Sequence, residues 1–129
     1  MMNKQLLFNN LFELVEPIVL ESDRLIHAKV RLIPSHRIFS GHFPGNPILP
    51  GVCSVQIIKE IIESYLGKDL MLAYAGQIKY LGFINPSATP VIMLDIEITW
   101  GNESTIACNA RIFSESALLC TFKGKFNLV

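Results

Sequence analysis

The residue types best suited to chemistry in this sequence sit in one short stretch. Ser40-Gly41-His42-Phe43-Pro44-Gly45-Asn46-Pro47-Ile48-Leu49-Pro50-Gly51-Val52 holds three prolines and three glycines in thirteen residues. Proline fixes φ and glycine permits positive φ or close approach, so the stretch is expected to be stiff and to hold His42 in one place. It leads into an apolar segment that reads as a helix over 51–66, and the Gly51 and Val52 N–H groups open that helix without intrahelical acceptors. Those donors, helped by the helix dipole, could polarise a carbonyl oxygen while a neutral imidazole removes a proton α to that carbonyl. His27 and His36 fit no ligand spacing with His42, and no Asp or Cys accompanies them, so no metal is expected. Cys53, Cys108 and Cys120 form an odd set without CxxC spacing, each in an apolar segment. They read as buried, reduced thiols of a cytoplasmic protein.

The elements that must position this loop follow from periodicity. Over 51–66, Val52, Val55, Ile57, Ile58, Ile61, Ile62, Tyr65 and Leu66 cover most of a helix circumference, leaving Gln56, Lys59, Glu60 and Glu63 on a narrow polar arc. Pro50 before it and Gly67 after it are the expected helix boundaries. Alternating apolar and polar residues predict strands at 25–33, 91–100, 105–113 and 117–128, with Ile26, Ala28, Val30 and Leu32 sharing one face of the first. Gly101-Asn102-Glu103-Ser104 and Ser114-Glu115-Ser116 read as tight connections of an antiparallel meander. A further strand is expected at 70–81, with Gly76 at a bend or bulge. A short helix at about 5–15 is suggested by Leu6, Leu7, Leu11 and Leu14. No repeat, linker or low-complexity tract interrupts the chain, so residues 1–129 are expected to form one α+β domain.

Composition narrows the functions. The 14.5 kDa chain is 50% hydrophobic and 17% charged with mean hydropathy +0.40, which excludes disorder and leaves apolar surface to bury in an oligomer. Eleven basic against eleven acidic side chains lack the excess that nucleic-acid binding requires. No apolar run approaches the ~18 residues of a membrane span, and Asn9, Asn10, Glu13 and Glu16 break the N-terminal stretch, which reads as mature sequence.

His42-Phe43-Pro44-Gly45, then Pro47, then Pro50-Gly51-Val52 resembles the signature of the 3-hydroxyacyl-ACP dehydratases of type II fatty-acid synthesis, a family of hot-dog folds. The strand-helix-strand order around it agrees over nearly the whole chain. The resemblance implies a long central helix wrapped by a curved antiparallel sheet. It implies a homodimer, or a multiple of it, with two acyl tunnels at the subunit interface. It further implies dehydration of (3R)-3-hydroxyacyl thioesters of acyl carrier protein to the trans-2-enoyl form without a cofactor. On this reading His42 takes the C2 proton, the Gly51 amide with Val52 binds the thioester carbonyl, and Phe43 belongs to the substrate-binding residues.

One position departs from the family. Its helix carboxylate, fourteen residues after the histidine, is here Gln56. An amide cannot give up a proton as a carboxylic acid does, and a lost general acid is worth ~10²–10⁴ in rate. Gln56 can still hydrogen-bond the departing hydroxyl. The acid could be supplied by protonated His42, or by Glu60 through a water, although Glu60 is expected rather to pair at the surface with Lys59 or Lys68. Three functions are therefore set side by side: a lyase, a weakly or non-catalytic acyl-ACP binding partner, and a hot-dog acyl thioesterase in which Glu60 or Glu63 activates water. The His-Phe-Pro-Gly loop favours the first over the third. Tyr74, Tyr80, Phe83 and Trp100 are expected either along a tunnel or in core and dimer contacts. The scattered lysines define no docking site for the carrier protein.

Overall fold

In the computed structural model, residues 11–41, 45, 47–102 and 104–129 are described. The alternation read above becomes a seven-stranded antiparallel sheet. Its strands are β1 (Phe12–Leu14), β2 (Val19–Leu20), β3 (Leu25–Leu32), β4 (Leu70–Tyr80), β5 (Val91–Trp100), β6 (Thr105–Phe113) and β7 (Leu118–Leu128). The helices are α1 (Ile38–Gly41) and α2 (Gly51–Leu66). The strand order is β1-β3-β5-β6-β7-β4, with β2 also pairing β3. A long helix lying on one face of such a sheet is the hot-dog arrangement.

Register keeps the apolar residues on one face. Ile26 pairs with Ile96, Ile96 with Ala110, Ala110 with Phe122 and Phe122 with Ile78, so a single row crosses five strands. Slippage by one residue would turn that whole row to solvent. Opposite it, Ile57, Ile58, Ile61 and Ile62 of α2 are fully buried and belong to the same core. Each such side chain stabilises the fold by roughly 1.5–3 kcal/mol relative to exposure. The helix starts after Pro50 and ends at Gly67, whose left-handed conformation (φ 67°) lets its N–H donate to the Glu63 carbonyl at 2.8 Å.

The structure departs from periodicity in four places. Phe12–Leu14, within the stretch expected to be helical at about 5–15, is instead β1, paired with Val30–Leu32; residues 5–10 lie outside the described residues. Leu11 and Phe12 are both buried there, a result that sheet pairing decides and local leucine spacing does not. Alternation with Cys120, Phe122 and Phe126 would turn Leu118 of β7 inward, but it is exposed, while Leu119 and Cys120 are buried. Phe113 pairs with Leu118 but Ile112 with Cys120, so a bulge at Leu119 breaks the alternation. Two bulges bypass Ala73 and Gly76 in β4, in line with the irregularity expected at Gly76. Trp100, at the end of β5, is half exposed.

Gly124 is where the sheet leaves no room. Phe122 and Phe126, on the same face of β7, pack with ring centroids 5.9 Å apart. A Cβ at Gly124 would overlap the Tyr74 carbonyl oxygen and come within 2.6 Å of the Phe122 ring. Gly124→Ala is therefore expected to destabilise the protein by about 1–3 kcal/mol, read as a lower urea midpoint with an unchanged slope.

Candidate active site

Two of the residues expected to act, His42 and Phe43, lie outside the described residues. The segments flanking them are fixed by several contacts. The His36 imidazole Nδ1 accepts the Ile38 N–H at 3.0 Å at the start of α1, which places His36 in the turn before the loop. Gly45 has φ 83°, a conformation glycine adopts at little cost. Leu49 is buried, and its N–H donates to the Ile84 carbonyl at 2.8 Å, tying the end of the loop to the segment after β4.

Gly51 and Val52 open α2 as read from the sequence, and Cys53 N–H closes on the Pro50 carbonyl at 2.9 Å. Val52 points outward, 74% exposed, although the sequence places it among the apolar residues that cover most of the helix circumference. A glycine at 51 has a steric reason. The Tyr80 ring lies over it, so that an added Cβ would sit 2.6 Å from Tyr80 Cζ and 2.8 Å from its hydroxyl oxygen. Beneath Tyr80 an apolar cavity of about 220 Å³ runs between Leu49, Ser54, Phe83, Ile84 and Leu119. Desolvation, with a smaller contribution from Cys120, pushes the Tyr80 hydroxyl above its ordinary pKa. Of the four expected aromatics, Tyr80 and Phe83 border this cavity, whereas Tyr74 faces a depression on the outer side of the sheet beside Glu97 and Lys123.

Gln56 is half-buried, and its Nε2 donates to Glu60 Oε2 at 2.6 Å. Glu60 is thus not the surface partner of Lys59 or Lys68 that its position suggested; it is 8% exposed and turned along the helix towards Gln56. Lys59 pairs with Glu63 instead, at 3.1 Å. Glu63 also accepts the Leu70 N–H at 2.7 Å and so anchors the start of β4. The i,i+4 spacing of both pairs was visible in the sequence, but which side chain turns to which depends on the sheet that covers the arc.

The other candidates have structural occupations. Cys53, Cys108 and Cys120 are buried free thiols, and burial pushes Cys108 up to about 12. Among the described residues no group of His, Cys, Asp or Glu is arranged to hold a metal. His27 bridges two carboxylates, Asp95 Oδ1 at 2.6 Å and Glu21 Oε1 at 2.8 Å, while Arg111 holds the other oxygen of Asp95 at 2.9 Å. The bonds to Glu21 and then Asp95 raise the His27 pKa above its ordinary value. A raised folded-state pKa contributes stability that is present below the unfolded value of about 6.5 and lost as pH rises through the folded value. The thermal midpoint is therefore expected to fall between about pH 6 and 8, and His27→Gln should flatten that part of the curve.

The antiparallel sheet and the long helix on it define a hot-dog protein. Residues 19–117 match the ApeI-like family model, described as ApeI dehydratase, and the chain belongs to that family. A 3-hydroxyacyl-[acyl-carrier-protein] dehydratase FabZ of Nitrosomonas europaea is 30% identical over 125 residues, covering 84% of this chain and 80% of that one. The FabZ of Novosphingobium aromaticivorans is 29% identical over 100 residues, 73% of this chain but only 61% of its own length. The chain thus spans less than two thirds of several curated relatives that it matches. Among solved structures, the dehydratase heterocomplex ApeI:P from Xenorhabdus doucetiae superposes with TM-score 0.64 at 17% identity, covering 88% of this chain and 96% of that one. A hypothetical thioesterase with coenzyme A from Streptococcus pneumoniae gives 0.62 at 14% identity, covering 92% and 85%. At these identities the superpositions concern the fold.

Proposed function

We propose that this chain dehydrates (3R)-3-hydroxyacyl thioesters of acyl carrier protein to trans-2-enoyl thioesters, as one domain over residues 1–129 working in the cytoplasm. The observation that carries the reading is the glycine-opened N-terminus of α2 beside an apolar cavity, directly after the His-Phe-Pro-Gly loop. Membership of a dehydratase family and the names of the FabZ relatives support it. The thioester carbonyl oxygen accepts from the Gly51 and Val52 N–H groups, which face charge that grows as the C2–H bond breaks. His42 takes the C2 proton, and the electron pair is held as an enolate on that oxygen. Its return forms the C2–C3 double bond and expels the C3 hydroxyl. The hydroxyl leaves as water, taking the proton back from the His42 imidazolium, so the histidine ends neutral and no cofactor is consumed. Gln56 hydrogen-bonds the hydroxyl and aligns it for that transfer.

A specific observation weighs against hydrolysis. Glu60 and Glu63, the two carboxylates that could activate water, are engaged by Gln56 and by Lys59 with the Leu70 N–H. The replacement of a carboxylate by Gln56 keeps a non-catalytic acyl-ACP binding partner as the second reading. With 3-hydroxyacyl-ACP as substrate, enoyl absorbance should rise without release of free thiol, and His42→Ala should lower the rate by at least ~10²-fold with folding intact. Thiol release would establish a thioesterase. Silence in both channels, with acyl-ACP still bound, would establish the binding partner.

The dimer belongs to the same proposal. β4 ends the strand order as an eleven-residue edge, and among the described residues no strand pairs with its outer side. Met71, Leu72, Tyr74 and Tyr80 along it, with Leu81, Phe83 (82% exposed) and Val52 nearby, leave large apolar side chains in water. A long apolar edge is a template for another strand, and two copies joined here would border the cavity beneath Tyr80 from both sides. Sedimentation at micromolar concentration is expected to give a dimer or a multiple of it, and a monomer would overturn this part of the proposal.

A further inference from the structure

We propose that Glu60 is a positioning residue for this reaction, holding the Gln56 amide in one orientation so that it presents a donor to the leaving hydroxyl. The inference rests on the functional reading above. A primary amide offers two donors and a carbonyl acceptor, and a half-turn of its terminal torsion exchanges the two sides. Left to turn, Gln56 would present its oxygen to the hydroxyl oxygen about as readily as its nitrogen. The first would accept the hydroxyl's own hydrogen and offer no donor to the oxygen that must depart. An ionised carboxylate only accepts, so a Glu60 oxygen 2.6 Å from Gln56 Nε2 selects the nitrogen side. One N–H is then committed to Glu60, and the second N–H is carried away from the carboxylate in the fixed plane of the amide.

Burial strengthens the arrangement. Glu60 is 8% exposed, and in low dielectric a charge-assisted hydrogen bond competes with little water. Its neighbour on the polar arc, Lys59, is drawn to Glu63 at 3.1 Å, and Glu63 is itself held by the Leu70 N–H at 2.7 Å. The nearest ammonium group of the arc is thereby directed one turn further along the helix. Gln56 remains half-buried, with part of its surface open. The helix thus carries a carboxylate one turn from the position where the family carries its acid, linked to that position by a hydrogen bond. On this proposal the carboxylate sets the amide, and the proton for the departing hydroxyl comes from His42.

The experiment is a double-mutant cycle with 3-hydroxyacyl-ACP, comparing wild type, Glu60→Ala, Gln56→Ala and the double variant, with Glu60→Gln as the conservative change. Glu60→Ala is expected to lower kcat by about 10-fold with KM within about twofold, and to cause no further loss once Gln56 is alanine. Glu60→Gln, whose carbonyl can still accept, should recover part of the rate. The two protons of the Gln56 side-chain amide should resonate far apart in the wild type and move together in Glu60→Ala. Equal losses in both backgrounds would make Glu60 a structural residue and overturn the proposal, as would an unchanged kcat in Glu60→Ala. Full activity in Gln56→Ala would remove position 56 from the chemistry, and this role with it. A wild type that turns over no 3-hydroxyacyl-ACP would overturn the functional reading itself, a failure recognisable because the amide resonances would still show the Glu60 contact.

Discussion

Everything in this molecule depends on burying an almost wholly apolar helix while leaving its two opening residues, Gly51 and Val52, at the surface. The four isoleucines of α2 and the inward rows of β3, β5, β6 and β7 form one core. A helix with so little polar surface has no stable position except against a sheet that curves around it. Gly51 and Val52 at its opening are nevertheless partly or largely exposed, and theirs are the N–H groups that the proposed reaction aims at a carbonyl. Pro50 and the Leu49 bond to Ile84 accommodate both by starting the helix where the cavity begins.

The polar arc of α2 shows how such a core accommodates charge. Neither buried carboxylate is left without a hydrogen bond. Glu63 takes the first N–H of β4 and the Lys59 ammonium, so it joins helix to strand, and Glu60 takes the Gln56 amide. An unpaired buried carboxylate would be strongly destabilising, whereas a satisfied one is tolerated and gives its neighbours direction. The same rule operates on the outer face, where Asp95 is shared between His27 and Arg111 across three adjacent strands.

The two ends of the sheet differ. Short β1 and β2 lie against β3, while β4 presents a long bulged edge with aromatic side chains in water. The two bulges and the exposed apolar residues occur on the same strand, beside the opening of α2. A site that borders an incomplete surface can be completed by a second chain, which is the arrangement proposed for this protein.

Most of the architecture was legible in the sequence because period-2 and period-3.6 patterns are set by which side chains must leave water. The boundaries of α2, β3, β5 and β6 fall within a residue or so of the periodic segments. The helix-opening glycine and the irregularity at Gly76 were legible too, since glycine and proline act through local backbone sterics. What local pattern could not decide was partnership. Leu11 and Phe12 became buried residues around the start of a strand because β3 offered a free edge, and Leu118 turned outward because a bulge absorbed one residue. Val52 stayed in water although its neighbours were buried. Glu60 turned to Gln56, and Tyr80 came to rest on Gly51 from a strand far along the chain. The sequence by itself determined which faces are apolar and where the backbone must stop or turn. Only the tertiary structure decided which polar groups meet inside, because that depends on distances between segments that no local periodicity encodes.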